Sequence, residues 1–172
     1  MSHTKSAQRL IPRAYLVCDL DNLCFGCCNV SPEMIVYAAN SLLDGLTRAG
    51  INLKNSLTAV AYGVEAKYRN PAFLTAWPNS PRPRLLQGNG VNGADERILD
   101  VLKNDPGLRR SQTVIVASGD GIYSGAVDDL NALGIKTIVA SYPKALSAKL
   151  KIACSSSIEL PEPPSIETGW IA

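Results

Sequence analysis

Short apolar runs alternate regularly with amphipathic helical segments along this chain. Apolar runs of strand length occupy residues 14–20, 56–63, 83–88, 112–119, 135–141 and 156–160. Helical periodicity occupies residues 31–50, 92–104, 125–134 and 147–154. Strands that alternate with helices form βαβ units, in which parallel strands are covered on both faces. The pattern predicts an α/β fold, a three-layer α/β/α sandwich with a mainly parallel central sheet.

The helix boundaries are marked by residues that favour helix ends. Ser31 is a suitable N-cap, and Pro32 occupies the first helical position, where its missing N–H costs nothing. Gly50 follows the last apolar position of that helix and suits the left-handed C′ position. Asn92 opens the helix at 92–104. Residues 64–82 contain three prolines and predict an irregular segment with at most one short helix.

Length and composition predict one globular domain between two tails. The 172 residues are 46% hydrophobic, which is enough for a real core, and the formal net charge of +2 gives no global basic field. We expect a flexible basic arm at 1–12, the domain at 13–160 and a proline-rich tail at 161–172. No apolar run suits a membrane span or a secretory signal, so we expect a cytoplasmic protein without membrane association. The tails are the segments expected to contact a protein partner or a second copy.

Acidic residues follow two of the predicted strands. Asp19 and Asp21 end the first strand, and Asp120 lies just past the strand at 112–119. Open α/β sheets bind ligands at the carboxyl ends of their strands, where the strand order switches. If the first and fourth strands are neighbours, Asp19 and Asp120 converge there. A turn built by Asp120 beside Gly121 is the alternative interpretation.

A third acid lies in the core-facing stripe of the helix at 92–104. At about 100° per residue, Asp95 falls among apolar positions, whereas Glu96 and Asp100 fall on the polar side. A carboxylate in such a stripe is costly unless it is paired or binds a metal. Asp95 is in the first turn, near the sheet's carboxyl edge, where it alternatively stabilises the helix dipole. Three carboxylates meeting at this edge suit Mg²⁺ or Mn²⁺.

Three stretches together resemble a known family. "YLVCDLDNL", "NGADERILDVL" and the segment beginning "VIVASGDGIYSG" are similar to the NYN domains, a branch of the PIN-like nucleases. The similarity covers residues 14–160 and consists of an Asp-x-x-Asn after a strand, a Gly-x-Asp opening a helix and a Ser-Gly-Asp after a strand. It implies a PIN-like fold and metal-dependent cleavage of RNA, most simply single-stranded RNA.

The resemblance also implies roles for individual residues. Asp19, Asp95 and Asp120 match the family's metal-binding acids, and Asn22 and Ser118 match residues expected to orient waters or the scissile phosphate. The bound Mg²⁺ or Mn²⁺ is expected to activate water and to neutralise charge on a phosphodiester.

Two positions depart from the family pattern. Position 122 is Ile, where many relatives carry a further acid that can bind metal. Asp100 is close to another acidic position of the family, but it falls on the polar side of its helix, so we rank it below Asp95.

Basic and aromatic residues outside this cluster are candidates for contacts with RNA. Tyr68 and Trp77 are candidates for stacking on bases, and a solvated surface with core aromatics is the alternative interpretation. The candidate phosphate-binding residues are Lys67, Arg69, Arg82, Arg84, Lys144 and Lys149.

Two other functions compete with the ribonuclease. "LVCDLDN" also resembles the first motif of haloacid-dehalogenase-like phosphatases, with Asp19 as nucleophile and Asp21 as general acid. Leu23 then stands in place of a threonine, Ser124 in place of a late aspartate, and Asp95 has no role. The other competitor is an inactive RNA-binding or partner-binding module that keeps the fold, an interpretation that Ile122 favours.

The cysteines do not form a recognisable site. Cys24, Cys27 and Cys28 form one CxxCC, but a structural zinc site needs four ligands, and the only histidine is His3. Cys18 alternates with Asp19 along a strand and so points into the core. We therefore expect these cysteines to be small, partly buried apolar residues.

Overall fold

The computed structural model describes residues 14–24, 31–63 and 83–162. Its strands are β1 (Ala14–Asp19), β2 (Leu57–Tyr62), β3 (Arg84–Gln87), β4 (Thr113–Ala117), β5 (Lys136–Ser141) and β6 (Ser156–Glu159). They form one six-stranded sheet in the order β3-β2-β1-β4-β5-β6, and every neighbouring pair is parallel. The predicted α/β fold with a parallel central sheet is confirmed, and β1 and β4 are neighbours.

Five α-helices and two 3₁₀ turns connect the strands of the described residues. The helices are α1 (Leu20–Leu23), α2 (Pro32–Arg48), α3 (Gly93–Asn104), α4 (Ser124–Ala132) and α5 (Ala148–Ala153), and the 3₁₀ turns span Leu108–Arg110 and Gly121–Tyr123. The sequence predicts each of the longer helices within a few residues. The single-turn helix α1 occupies a stretch without helical periodicity, so the sequence does not predict it.

Helix ends follow the predicted chemistry. The Ser31 hydroxyl accepts a hydrogen bond from the Met34 N–H at the start of α2, directly before Pro32. Gly50 has a φ of +73° after the end of α2, a left-handed conformation that disfavours a side chain. Asn92 precedes α3 as predicted, but its side chain makes no capping hydrogen bond.

The sheet is packed on both faces, and successive strand residues enter opposite cores. Leu16 and Cys18 of β1 pack in the core on the α2 side. Tyr15 and Val17 pack in the core that contains residues of α3, α4 and α5. This alternation follows from the two-residue period of a strand. The result is the predicted three-layer arrangement, with the sheet in the middle.

The described cysteines behave as core residues. Cys18 and Cys24 are buried free thiols, and Cys154 is partly buried. Burial raises the pKa of the Cys18 thiol well above its ordinary value, so this thiol is a poor nucleophile. The core placement predicted for Cys18 is confirmed, whereas Cys27 and Cys28 lie outside the described residues.

Several predicted segments also fall outside the described residues. They are the arm at 1–12, most of the tail at 161–172 and the segment 64–82. Within the described ranges, none of the helices is both long enough and apolar enough to cross a membrane.

Candidate functional site

The candidate site is a cleft at the carboxyl edge of the sheet, between β1 and β4. On one side of this point lie β2 and β3, and on the other lie β5 and β6. Such a switch in strand order leaves a crevice between the loops that leave the two central strands. The cleft has a volume of about 450 Å³, and its lining includes Asp19, Asp21, Asn22, Asp95 and Asp120. The acids predicted from three distant segments therefore share one cleft.

Asp19 is the most buried of these acids, with 2% of its surface exposed. Its Oδ1 accepts a hydrogen bond from the Asn22 N–H at 3.0 Å. Its Oδ2 lies 3.2 Å from the Ser118 hydroxyl and 2.8 Å from the Tyr123 hydroxyl. Burial raises the pKa of Asp19 from 3.8 to about 6, against the opposing effect of the hydrogen bonds from Asn22 and Tyr123. Asp19 is thus held by three hydrogen bonds, and its carboxyl group loses its proton at a higher pH than an exposed aspartate does.

Asn22 and Ser118 tie the end of β1 to the loop after β4. The side-chain oxygen of Asn22 accepts a hydrogen bond from the Gly119 N–H at 2.8 Å. The Ser118 side chain is fully buried, and its oxygen accepts a hydrogen bond from the Asp120 N–H at 3.2 Å. Ser118 therefore supports Asp19 and the loop rather than facing the cleft, which corrects the expectation that it orients a phosphate or a water. Asn22 does line the cleft.

The loop after β4 is shaped by a glycine and by Asp120. A Cβ on Gly119 would lie 2.2 Å from the carbonyl oxygen of Ala145, so the close approach of these two loops requires glycine. Asp120 Oδ1 accepts a hydrogen bond from the Ile122 N–H at 2.9 Å and caps the turn Gly121–Tyr123. Asp120 therefore builds a turn, as in the alternative interpretation, and also lines the cleft.

Asp95 reaches the cleft from the first turn of α3. It is half-buried, whereas Glu96 and Asp100 are exposed, which confirms the predicted faces of this helix. A Cβ on Gly88 would lie 2.0 Å from the carbonyl carbon of Gly93, so the end of β3 and the start of α3 touch backbone to backbone. This contact places Asp95 at the carboxyl edge of the sheet.

Tyr123 is the site residue that the sequence did not reveal. It is fully buried, and its hydroxyl oxygen lies 2.8 Å from Asp19 Oδ2 and 2.8 Å from Asp95 Oδ1. Burial, with the nearby charge of Asp19, raises the pKa of Tyr123 far above its ordinary range, so the hydroxyl stays protonated. No periodicity marks this position, because it lies in a short 3₁₀ turn.

Asp21 lies in α1 rather than on a strand, yet it also reaches the cleft. Its Oδ2 accepts a hydrogen bond from the Gly63 N–H at 2.9 Å, which links α1 to the end of β2. Asp21 therefore adds charge to the cleft and supports the neighbouring loop.

The carboxylates suit a divalent cation that keeps several water ligands, rather than one bound by protein ligands alone. No group of three or more His, Cys, Asp or Glu side chains among the described residues is arranged to hold one ion directly. Mg²⁺, however, usually keeps several waters and takes only one or two carboxylates, with phosphate oxygens completing its shell. Asp95 and Asp120 each use one oxygen in the hydrogen bonds above, and their second oxygens accept none from the described residues. The donor set therefore suits Mg²⁺ or Mn²⁺ bound with water.

Arg84, one of the predicted phosphate-binding residues, lies away from the cleft, and its contact with an RNA backbone stays a prediction. It begins β3, at the amino edge of the sheet, opposite the cleft. Its guanidinium lies 2.7 Å from Asp105 Oδ2 and donates to the Tyr15 hydroxyl at 3.2 Å. Because those partners hold it at the far edge, Arg84 does not reach the cleft.

Two of the predicted basic residues do lie at the carboxyl edge. Lys144 follows β5, and Lys149 is in the first turn of α5, where its Cβ is close to Gly121. Both side chains are exposed. The other predicted contacts lie outside the described residues, namely Lys67, Tyr68, Arg69, Trp77 and Arg82.

Apolar side chains are exposed close to the acids. Val91 is fully exposed on the loop between β3 and α3, and it lines the cleft. Ile122 is 48% exposed directly beside Asp120. The cleft therefore offers an apolar contact surface next to its carboxylates.

Comparisons with known proteins establish the fold and leave the function open. No protein-family model and no curated protein matches the sequence. The structure is similar to the crystal structure of a protein of unknown function from Vibrio parahaemolyticus RIMD 2210633, with a TM-score of 0.59 and 16% sequence identity. The match covers 90% of this chain and 97% of the other. A likeness at this identity supports the three-layer fold alone.

Proposed function

We propose that this protein is a Mg²⁺- or Mn²⁺-dependent ribonuclease that hydrolyses phosphodiester bonds in single-stranded RNA. One observation carries the proposal: four carboxylates and no basic side chain are among the described residues that line the cleft. A cleft of that charge repels a phosphate unless a cation compensates it. The location at the β1–β4 switch is the usual ligand position in such sheets.

Asp95 and Asp120 are the residues that would hold the cation, and Asp19 is the more deeply buried acid of the same cleft. Asp19 has one oxygen engaged by two hydroxyls and the other by one backbone N–H. Its Oδ1 therefore retains a lone pair for an ion or for a bound water. A divalent cation held there would supply positive charge for a phosphate and would activate water for hydrolysis.

The remaining residues of the cleft provide recognition. Because the side-chain oxygen of Asn22 is occupied by Gly119, its amide NH₂ is the group left to donate to a phosphate oxygen. Lys144 and Lys149 add exposed positive charge at the same edge, where a phosphate backbone passes. Exposed Val91 offers an apolar contact to an unstacked base, which favours a single strand over a duplex.

The phosphatase alternative fits the geometry less well. An aspartate nucleophile must present an oxygen to an incoming phosphorus atom, and the Asp19 residue is only 2% exposed. That mechanism also assigns no role to Asp95, which shares a hydroxyl with Asp19. Both observations favour the ribonuclease.

The test compares cleavage of single-stranded RNA by the full chain, in Mn²⁺ and in EDTA, for the wild type, Asp95→Asn and Glu96→Gln. Both substitutions remove one charge from the first turn of α3, but only Asp95 lines the cleft. We expect Mn²⁺-dependent cleavage that falls by about 100-fold or more in Asp95→Asn and is unchanged in Glu96→Gln, since removal of a key electrostatic group typically costs that much.

Two outcomes would contradict the proposal. Equal cleavage by the wild type and Asp95→Asn would place the activity elsewhere or in a contaminant. Tight RNA binding without cleavage would indicate an inactive binding module, and hydrolysis of small phosphomonoesters without cleavage of RNA would favour the phosphatase.

A further inference from the structure

One hydroxyl joins two carboxylates that come from distant parts of the chain. Tyr123 lies 2.8 Å from an oxygen of Asp19, at the end of β1, and 2.8 Å from an oxygen of Asp95, in α3. The Tyr123 side chain is fully buried, so water does not compete for its hydroxyl. Because both carboxylates contact the same hydroxyl oxygen, the two carboxylates lie close together.

A phenol hydroxyl carries only one hydrogen and so donates to one carboxylate at a time. When both carboxyl groups are ionised and the hydroxyl donates to Asp19, the Asp95 oxygen at the same distance faces an oxygen lone pair, and the converse also holds. A cation near the second oxygens of the two acids relieves this conflict, because it attracts both carboxylates. The arrangement is therefore better matched to an ion-bound state than to an ion-free one.

The two acids depend on Tyr123 to different degrees. Asp19 also accepts hydrogen bonds from the Asn22 N–H and the Ser118 hydroxyl. Asp95 accepts a hydrogen bond from Tyr123 alone among the described residues. Loss of the hydroxyl therefore leaves Asp19 in place and frees the Asp95 side chain to turn away from the cleft.

We propose that Tyr123 is a positioning residue that holds Asp95 towards Asp19 for the binding of a divalent cation. The inference rests on the proposed function, since it concerns the same cleft. Tyr123 acts through Asp95 and does not itself need to touch the ion or the RNA. Partners of metal ligands in other proteins typically change metal affinity by about 10- to 100-fold when removed.

The experiment is a double-mutant cycle on Mn²⁺ affinity, measured on the full chain by the electron paramagnetic resonance signal of free Mn²⁺. The proteins are the wild type, Tyr123→Phe, Asp95→Asn and the double variant. We expect Tyr123→Phe to weaken Mn²⁺ binding by about tenfold. In the Asp95→Asn background it should have no further effect, because the two residues act as one unit.

Tyr15→Phe is the matched control. Tyr15 is also buried, and its hydroxyl also donates to a carboxylate, that of Asp105 at 3.0 Å, but at the opposite edge of the sheet. It should leave Mn²⁺ affinity unchanged. Tyr123→Met is a second variant without the hydroxyl, because methionine fills an apolar space with a flexible side chain. It should weaken Mn²⁺ binding by about tenfold as well.

Each outcome has a definite meaning. Unchanged affinity in Tyr123→Phe, or a further tenfold loss in the double variant, would overturn the inference. If Tyr123→Phe does not fold in denaturant titrations, unchanged affinity in Tyr123→Met would overturn it instead. A wild type that binds no Mn²⁺ overturns it whatever the RNA assay shows. Mn²⁺ binding that follows the predicted cycle without any RNA cleavage would support the role of Tyr123 and refute the proposed nuclease.

Discussion

Asp19→Asn should make the ion-free protein more stable at neutral pH, although it removes a central residue of the cleft. The carboxylate is 2% exposed, and burial raises its pKa from 3.8 to about 6. Asparagine resembles the protonated acid in size, and its NH₂ can face the Tyr123 oxygen while Tyr123 donates to Asp95. The substitution therefore removes the cost of ionising a buried group while keeping the packing.

The sign and size of the effect follow from linkage. Between pH 4 and pH 6 the folded state binds a proton that the unfolded state has released, so wild-type stability falls as pH rises through this window. Each pKa unit is worth about 1.4 kcal/mol, so a rise from 3.8 to about 6 corresponds to about 3 kcal/mol once both states are ionised. Because part of this cost is already present at pH 4, the change from pH 4 to pH 7.5 should be about 2 kcal/mol.

The assay is urea unfolding in EDTA at pH 4, 6 and 7.5 for the wild type, Asp19→Asn and Asp128→Asn. The quantity of interest is the difference in unfolding free energy between variant and wild type, in which other titrating groups cancel. We expect this difference to shift by about 2 kcal/mol in favour of Asp19→Asn as pH rises. Asp128 is exposed on α4, so its variant should show no such shift. A difference for Asp19→Asn that is independent of pH, or that shifts the other way, would show that burial does not raise the pKa of Asp19.

Two further predictions concern the loop after β4 and the basic edge. Gly119→Ala should lower the free energy of unfolding, measured in urea, by about 2–3 kcal/mol, because the added Cβ would meet the carbonyl oxygen of Ala145. Gly125 lies in α4 with open space around it, so Gly125→Ala should be neutral or slightly stabilising. Equal effects of the two substitutions would contradict this prediction. Lys149→Gln should weaken RNA binding and reduce the slope of log affinity against log salt by about 0.7, whereas Lys54→Gln, before β2 at the opposite edge, should not. Equal salt slopes for the two lysine variants would show that this edge does not hold the backbone.

Local patterns predicted the sheet and most of the acids. Each strand shows as a short apolar run, and Asp95 shows as a charge in an apolar helical stripe, because helix and strand periods are local properties. The convergence of Asp19 with Asp120 needed only one further assumption, that β1 and β4 are neighbours. The switch rule of parallel sheets supplies that assumption, and the structure confirms it.

Long-range contacts could not be predicted in the same way. Tyr123 meets residues that are 104 and 28 positions away, through a 3₁₀ turn without any periodic signal. In the sequence, Arg84 has no obvious partner and looks like a free surface charge. Its partner, Asp105, is 21 residues away at the C-terminal end of α3, so only the folded chain brings the two together. The sequence correctly places Ser118 next to the site, but its full burial depends on tertiary packing, which leaves no periodic signal in the sequence.

The most direct test of a divalent-cation site in this cleft is the anomalous scattering of Mn²⁺ in crystals of the protein. We predict a single strong peak in the cleft, bound through oxygens of Asp95 and Asp120 and either directly or through water to Asp19. The peak should be lost in Asp95→Asn crystals soaked in the same way. No peak in the cleft of the wild type at a Mn²⁺ concentration that supports RNA cleavage, or a peak that persists in Asp95→Asn, would contradict the account.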